Sequence, residues 1–91
     1  MNIGKAIQNY AARRGISFEV WDDKFLIWDM QNDNEWMCSY SIDENTGFLH
    51  FYGNVYLPQD VKEELPATID TEKKLKEVIN FISKEFVSRE Y

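Results

Sequence analysis

One cysteine and one histidine are all that this sequence offers of the two residue types most used in small-protein chemistry. A lone Cys38 makes no internal disulfide, whereas small secreted domains usually carry several, so a reducing compartment is expected. Cys38 and His50 are the one Cys–His pair available for nucleophilic catalysis, and together they are too few for a zinc site. No apolar run approaches the ~20 residues that span a bilayer, and the start of the sequence lacks the apolar stretch of a secretory signal. The four glycines are scattered through turns and form no phosphate-cradling loop. Residues 1–18 carry Lys5, Arg13 and Arg14 without an acid, a faint hint of an organelle transit peptide. A first helix with a basic end is the plainer reading, and a cytoplasmic location is expected.

Cations are the second shortage. Between Gly15 and Asp70 stand twelve carboxylates against Lys24 and Lys62, so that segment carries −10, while residues 1–14 carry +3 and residues 71–91 carry +1. The net −6 and a pI near 4.6 disfavour nucleic acid and anionic lipid, both of which are bound mainly through cations. No direct nucleic-acid or membrane contact is expected; basic proteins are the favoured partners.

Aromatic residues are plentiful. Ten of the fourteen fall between Gly15 and Leu57, with all three tryptophans, Trp21, Trp28 and Trp36. An apolar fraction of 44% is close to the globular average and argues against disorder. One domain over residues 1–91 is expected. A chain this short buries roughly 60–65% of its unfolded surface, so large rings must fill a small core.

Apolar residues at helical spacing predict a helix over residues 2–14, with Asn2 as cap, Arg13 and Arg14 at the negative end and Gly15 closing it. Ile16–Trp21 and Lys24–Met30 read as strands around an Asp22-Asp23 turn. A two-residue loop there sets Val20 opposite Phe25 and Phe18 opposite Ile27, so Ile16, Phe18, Val20, Phe25 and Ile27 share the core face. After the polar loop 31–34, Glu35–Ile42 alternates, and Trp36, Cys38, Tyr40 and Ile42 join that face, with Cys38 opposite Ile27. Asp43–Gly47 is a turn whose glycine suits positive φ. Phe48–Tyr52 is a fourth strand, Gly53-Asn54 a hairpin turn, and Val55–Leu57 a short fifth strand stopped by Pro58.

Asp60 and Glu63 resemble a capping box for one helical turn that Pro66 ends. Asp70 or Thr71 then caps a long helix over 71–89 with the stripe Leu75, Val78, Ile79, Ile82 and Phe86. Glu72–Lys76, Lys73–Glu77 and Glu85–Arg89 are spaced for i,i+4 pairs. The expected fold is α+β: an N-terminal helix, a four- to five-stranded antiparallel meander and a C-terminal helix, in a two-layer sandwich.

The same parity puts Cys38 in the core and His50 on the opposite face, out of reach of each other, so no catalytic pair is expected. Asp33/Glu35 and Asp43/Glu44/Asn45 are rich in oxygen but lack the spacing of a calcium loop, and no metal or cofactor is expected. Carboxylates paired for glycoside chemistry exist by residue type alone, in turns without a visible pocket.

Two features remain. The non-core sheet face presents Trp21, Leu26, Trp28, Met30, Met37, His50, Tyr52 and Val55 among serines, a make-up common at protein interfaces. A helix packed there, or rings paired across strands, is the plainer account of it. The second feature is charge: alternate turns of a meander share one end, so Asp22, Asp23, Asp43 and Glu44 lie together and attract Lys/Arg-rich surfaces. Turns also collect Asp and Asn for local reasons, and net charge aids solubility. The partner-binding set read from the sequence is Asp22, Asp23, Asp43, Glu44, Trp21, Trp28, Met37, His50 and Tyr52.

These features point to a non-catalytic acidic binding protein that docks on a basic partner surface, such as that of a nuclease or other nucleic-acid-binding protein. Small acidic phage inhibitors of host defence nucleases, anti-CRISPR proteins among them, and immunity proteins against toxins are similar in size and charge, though not in motif. The alternatives are a homodimeric adaptor or secretion-chaperone-type protein that uses the Trp21/Trp28 face, and a small ligand-binding domain or enzyme with a pocket between sheet and helices.

Overall fold

The computed structural model describes residues 3–88. The elements in order are α1 (Lys5–Ala12), β1 (Ile16–Trp21), β2 (Lys24–Asp29), β3 (Cys38–Ile42), β4 (Leu49–Asn54), α2 (Gln59–Glu63), β5 (Thr68–Ile69) and α3 (Glu72–Ile82), which runs on into a π-helical turn over Ser83–Val87. The strands form one antiparallel sheet in the order β1-β2-β3-β4-β5. This is the expected α+β arrangement, with α1 and α3 contributing Ile7, Ala11, Leu75, Val78, Ile79 and Ile82 to a core shared with one face of the sheet.

Local chemistry sets the helix ends. Gly4 is the residue before α1, without a side-chain cap, and the Asn2 cap expected from sequence lies outside the described residues. At the other end Gly15 takes φ 77°, as a closing glycine should. A Cβ on Gly15 would stand 3.2 Å from Val87 Cγ1, so both conformation and close packing require glycine. Arg14 Nη1 donates to the Tyr10 carbonyl at 3.1 Å, and its guanidinium lies 3.6 Å from the Tyr10 ring centre. Thr71 caps α3 by accepting from the Lys74 N–H at 3.1 Å.

Two expectations about polar pairing fail. The helix over Gln59–Glu63 begins after Pro58, with no side-chain cap, so Asp60 and Glu63 form no capping box; Glu63 accepts instead from Gln59 Nε2 at 3.0 Å. Among the described residues the ion pair beside α3 is Asp70–Lys74 at 2.9 Å, not Glu72–Lys76 or Lys73–Glu77. The Lys76 ammonium instead lies 5.5 Å from the Tyr10 ring centre, across the helix interface. Arg89, and with it the Glu85–Arg89 pair, lies outside the described residues.

The register of the first three strands follows the expected pattern, with Val20 opposite Phe25, Phe18 opposite Ile27, and Ile27 opposite Cys38. The chain departs from expectation after β4. Gly53 and Asn54 belong to that strand, opposite Ser39 and Cys38, with a bulge at Ser39/Tyr40. Val55–Leu57 is no strand. The Asn54 side chain takes the place of a strand partner: Nδ2 donates to the Leu57 carbonyl and Oδ1 accepts from the Leu57 N–H, each at 2.9 Å. That bend carries the chain into α2, and the fifth strand is Thr68–Ile69, paired with Leu49 and His50. Tyr40 Oη closes this side by donating to the Pro66 carbonyl at 2.9 Å.

Candidate functional site

The sheet face away from α1 and α3 is organised in rows. Register places Trp21, Lys24, Ser41, His50 and Thr68 side by side across all five strands, and Glu19, Leu26, Ser39 and Gly53 in the next row. No helix contributes to this face among the described residues. Trp21 is 63% exposed and Tyr52 is 65% exposed.

Not every residue expected here arrives. Met37 is fully buried in the helix-side core, and Trp36 takes the opposite face, meeting Trp28 edge-on with ring centres 6.0 Å apart. Their exchange of sides has a backbone cause. Residues 30–37 are not extended, and the Met37 carbonyl accepts from both the Val55 and Tyr56 N–H groups, at 2.9 and 3.3 Å. Alternation counted back from Cys38 therefore stops at Cys38. Met37 is accordingly withdrawn from the partner-binding set. Val20 has the expected parity but is 58% exposed. Leu26 is the opposite surprise: it is 3% exposed on the uncovered face, and no alternation pattern distinguishes it from its exposed neighbours.

The polar groups of the face are held in place. Lys24 Nζ lies 2.6 Å from Asp23 Oδ1 and 4.3 Å from the Tyr52 ring centre, which ties the acidic turn to the exposed ring. His50 is fixed from both sides, with Nδ1 3.1 Å from Thr68 Oγ1 and Nε2 3.5 Å from Asp43 Oδ2. Ser41 Oγ donates to the His50 carbonyl at 3.3 Å. The Trp28 indole nitrogen is sheltered and has no acceptor among the described residues.

The two acidic turns do adjoin. The Ile42 N–H donates to the Asp23 carbonyl at 2.7 Å, and Asp22, Asp23, Ile42 and Glu44 line one open depression. Asp22 holds φ 55°, a conformation that Asp tolerates better than most residues with a Cβ. Asp43 Oδ1 accepts from the N–H groups of Asn45 and Thr46, at 2.8 and 3.3 Å. Those bonds, with His50 behind them, hold its carboxyl below the usual range. Asp23 is held low by its hydrogen bond from Lys24, whose own ammonium is pushed up in return. Two of the four acids thus have a basic neighbour, a compensation the sequence count overlooks. Asp22 and Glu44 have none within ion-pair distance among the described residues.

Cys38 is fully buried, and burial pushes its thiol up to about 12. It faces the core while His50 faces away, as parity requires, so no Cys–His pair forms. Among the described residues no three His, Cys, Asp or Glu side chains gather as metal ligands, and no helix is long and apolar enough to cross a membrane. On the helix side, a groove of about 350 Å³ runs between the α2–β5 connection and α3, lined by Glu64, Leu65, Pro66, Lys74, Glu77, Val78 and Phe81.

No family model matches the chain, and neither a curated protein nor a solved structure matches it.

Proposed function

We propose that this is a non-catalytic binding protein that docks its ring-bearing sheet face and adjoining acidic turns on a basic surface of a partner protein. An inhibitor of the anti-defence or toxin-immunity kind, covering cations that otherwise hold nucleic acid, has this character. The observation that carries the reading is the junction of the two features. Lys24 links Asp23 to the Tyr52 ring, and His50 links Asp43 to the same row. Exposed Trp and Tyr supply large contact area at little entropic cost, while uncompensated carboxylates steer a cationic partner.

The double variant Asp22→Asn and Glu44→Lys removes the two acids without a basic neighbour. Asn tolerates the left-handed backbone of position 22, and both turn-fixing pairs stay intact. Capture from lysate at low and high salt, with each recovered protein identified, is the test. Recovery of a basic protein by the wild type, lost at high salt and lost with the variant, is expected. Equal recovery by wild type and variant at low salt overturns the reading. A homodimer through the same rings is opposed by the −6 that each copy carries; sedimentation of the wild type separates the two.

A further inference from the structure

The two edges of the sheet are finished differently. One is β5, only two residues long, with Ile69 fully buried and α3 packed against it. A strand that short, under a helix, offers little to pair with. The other edge is β1, six residues long and joined to β2 without a bulge. It contains no proline or lysine, two of the common devices that stop a strand from adding to an edge. Helix α1 shelters its beginning, where Ile16 is buried, but Glu19, Val20 and Trp21 are all exposed.

The hydrogen-bond pattern shows which groups face outward. The Met30 N–H donates to the Gly15 carbonyl, and the Ile42 N–H to the Asp23 carbonyl. In an antiparallel ladder bonded residues alternate. With the observed register, Ser17, Glu19 and Trp21 bond inward to β2. The N–H and C=O groups of Phe18 and Val20 point away from the sheet.

We propose that an extended, lysine- or arginine-rich segment of the partner adds to this edge as a sixth strand. The proposal rests on the function proposed above and specifies how the basic partner is held. The occupant follows from charge: the one ionisable residue of β1 is Glu19, and the strand runs into Asp22-Asp23. A second copy of this chain would bring a further −6, and antiparallel pairing centred on Glu19 would set two carboxylates directly opposite each other. Main-chain bonds to Phe18 and Val20 supply affinity, while Glu19, Asp22 and Asp23 select cationic side chains.

The test uses the whole protein and a capped peptide of alternating lysine and valine, about as long as β1. Its controls are the same peptide N-methylated at alternate amides, in either phase, and an alternating glutamate–valine peptide. Amide exchange is followed residue by residue. Slowed exchange at Phe18 and Val20, with Glu19 and Trp21 unchanged, is expected for the lysine peptide alone. N-methylation in one phase should weaken binding about tenfold or more. If all lysine peptides bind equally and perturb Trp21, Tyr52 and the acidic turns without that alternation, edge addition is wrong, while the basic-partner reading stands. Failure of every lysine peptide at low salt overturns both. Protection of Phe18 and Val20 in the free protein, together with a dimeric mass, assigns the edge to a second copy and overturns the proposal.

Discussion

Phe25 and Leu26 are neighbours on β2, both shielded from water, and they show how differently the two faces of this sheet are built. Phe25 is fully buried under the helices, with the Phe18 ring 4.7 Å away, within a cluster that joins the three α-helices and all five strands. Leu26 is 3% exposed but does not belong to that cluster. The helix face holds the fold together through layered packing. The other face leaves the rings of Trp21 and Tyr52 exposed to solvent.

The largest expected effect comes from setting those neighbours against each other. Phe25→Ala should destabilise by about 3–5 kcal/mol, since a rigid, helix-capped core cannot collapse around the void. Leu26→Ala should cost about 2 kcal/mol, because surface rings can settle into the space. Urea unfolding of both variants measures the pair. Equal losses would mean that the second face is a core in its own right.

A smaller effect sharpens the same division from the exposed side. Trp21→Ala should change stability by no more than about 0.5 kcal/mol, as surface substitutions usually do, while weakening partner capture. A loss of several kcal/mol in unfolding would show that Trp21 is structural.

How much of this was readable in advance differs along the chain. The register of β1, β2 and β3 was legible because a two-residue turn and unbroken alternation leave one solution, which places Cys38 opposite Ile27. The acidic turns were legible for the same reason, since a meander brings alternate turns to one end. Parity was misleading wherever the chain leaves the ladder. Trp36 and Met37 exchanged sides because Met37 is held by the backbone of Val55 and Tyr56, a long-range contact that no local pattern encodes. The real fifth strand was hidden because Asn54 closes its own bend through its side chain, which reads in sequence as an ordinary Gly-Asn turn. Val20, 58% exposed, shows a further gap: alternation gives the face a residue is on, not whether that face is covered at its position.

The smallest expected effect lies where the open face meets the acidic turn. Asp43 is held below its ordinary value chiefly by the N–H groups of Asn45 and Thr46, with His50 assisting. Below the unfolded-state value near 3.8 the unfolded chain binds the proton more readily, so this contribution is complete at higher pH and fades as pH falls through the depressed folded value. Asp43→Asn keeps an oxygen for the two turn N–H groups but removes the charge, so the variant should lose less stability than the wild type on acidification below pH ~4. Thermal melts of both proteins across that range measure the difference. If the curves stay parallel, the charge of Asp43 adds nothing to the stability of the fold.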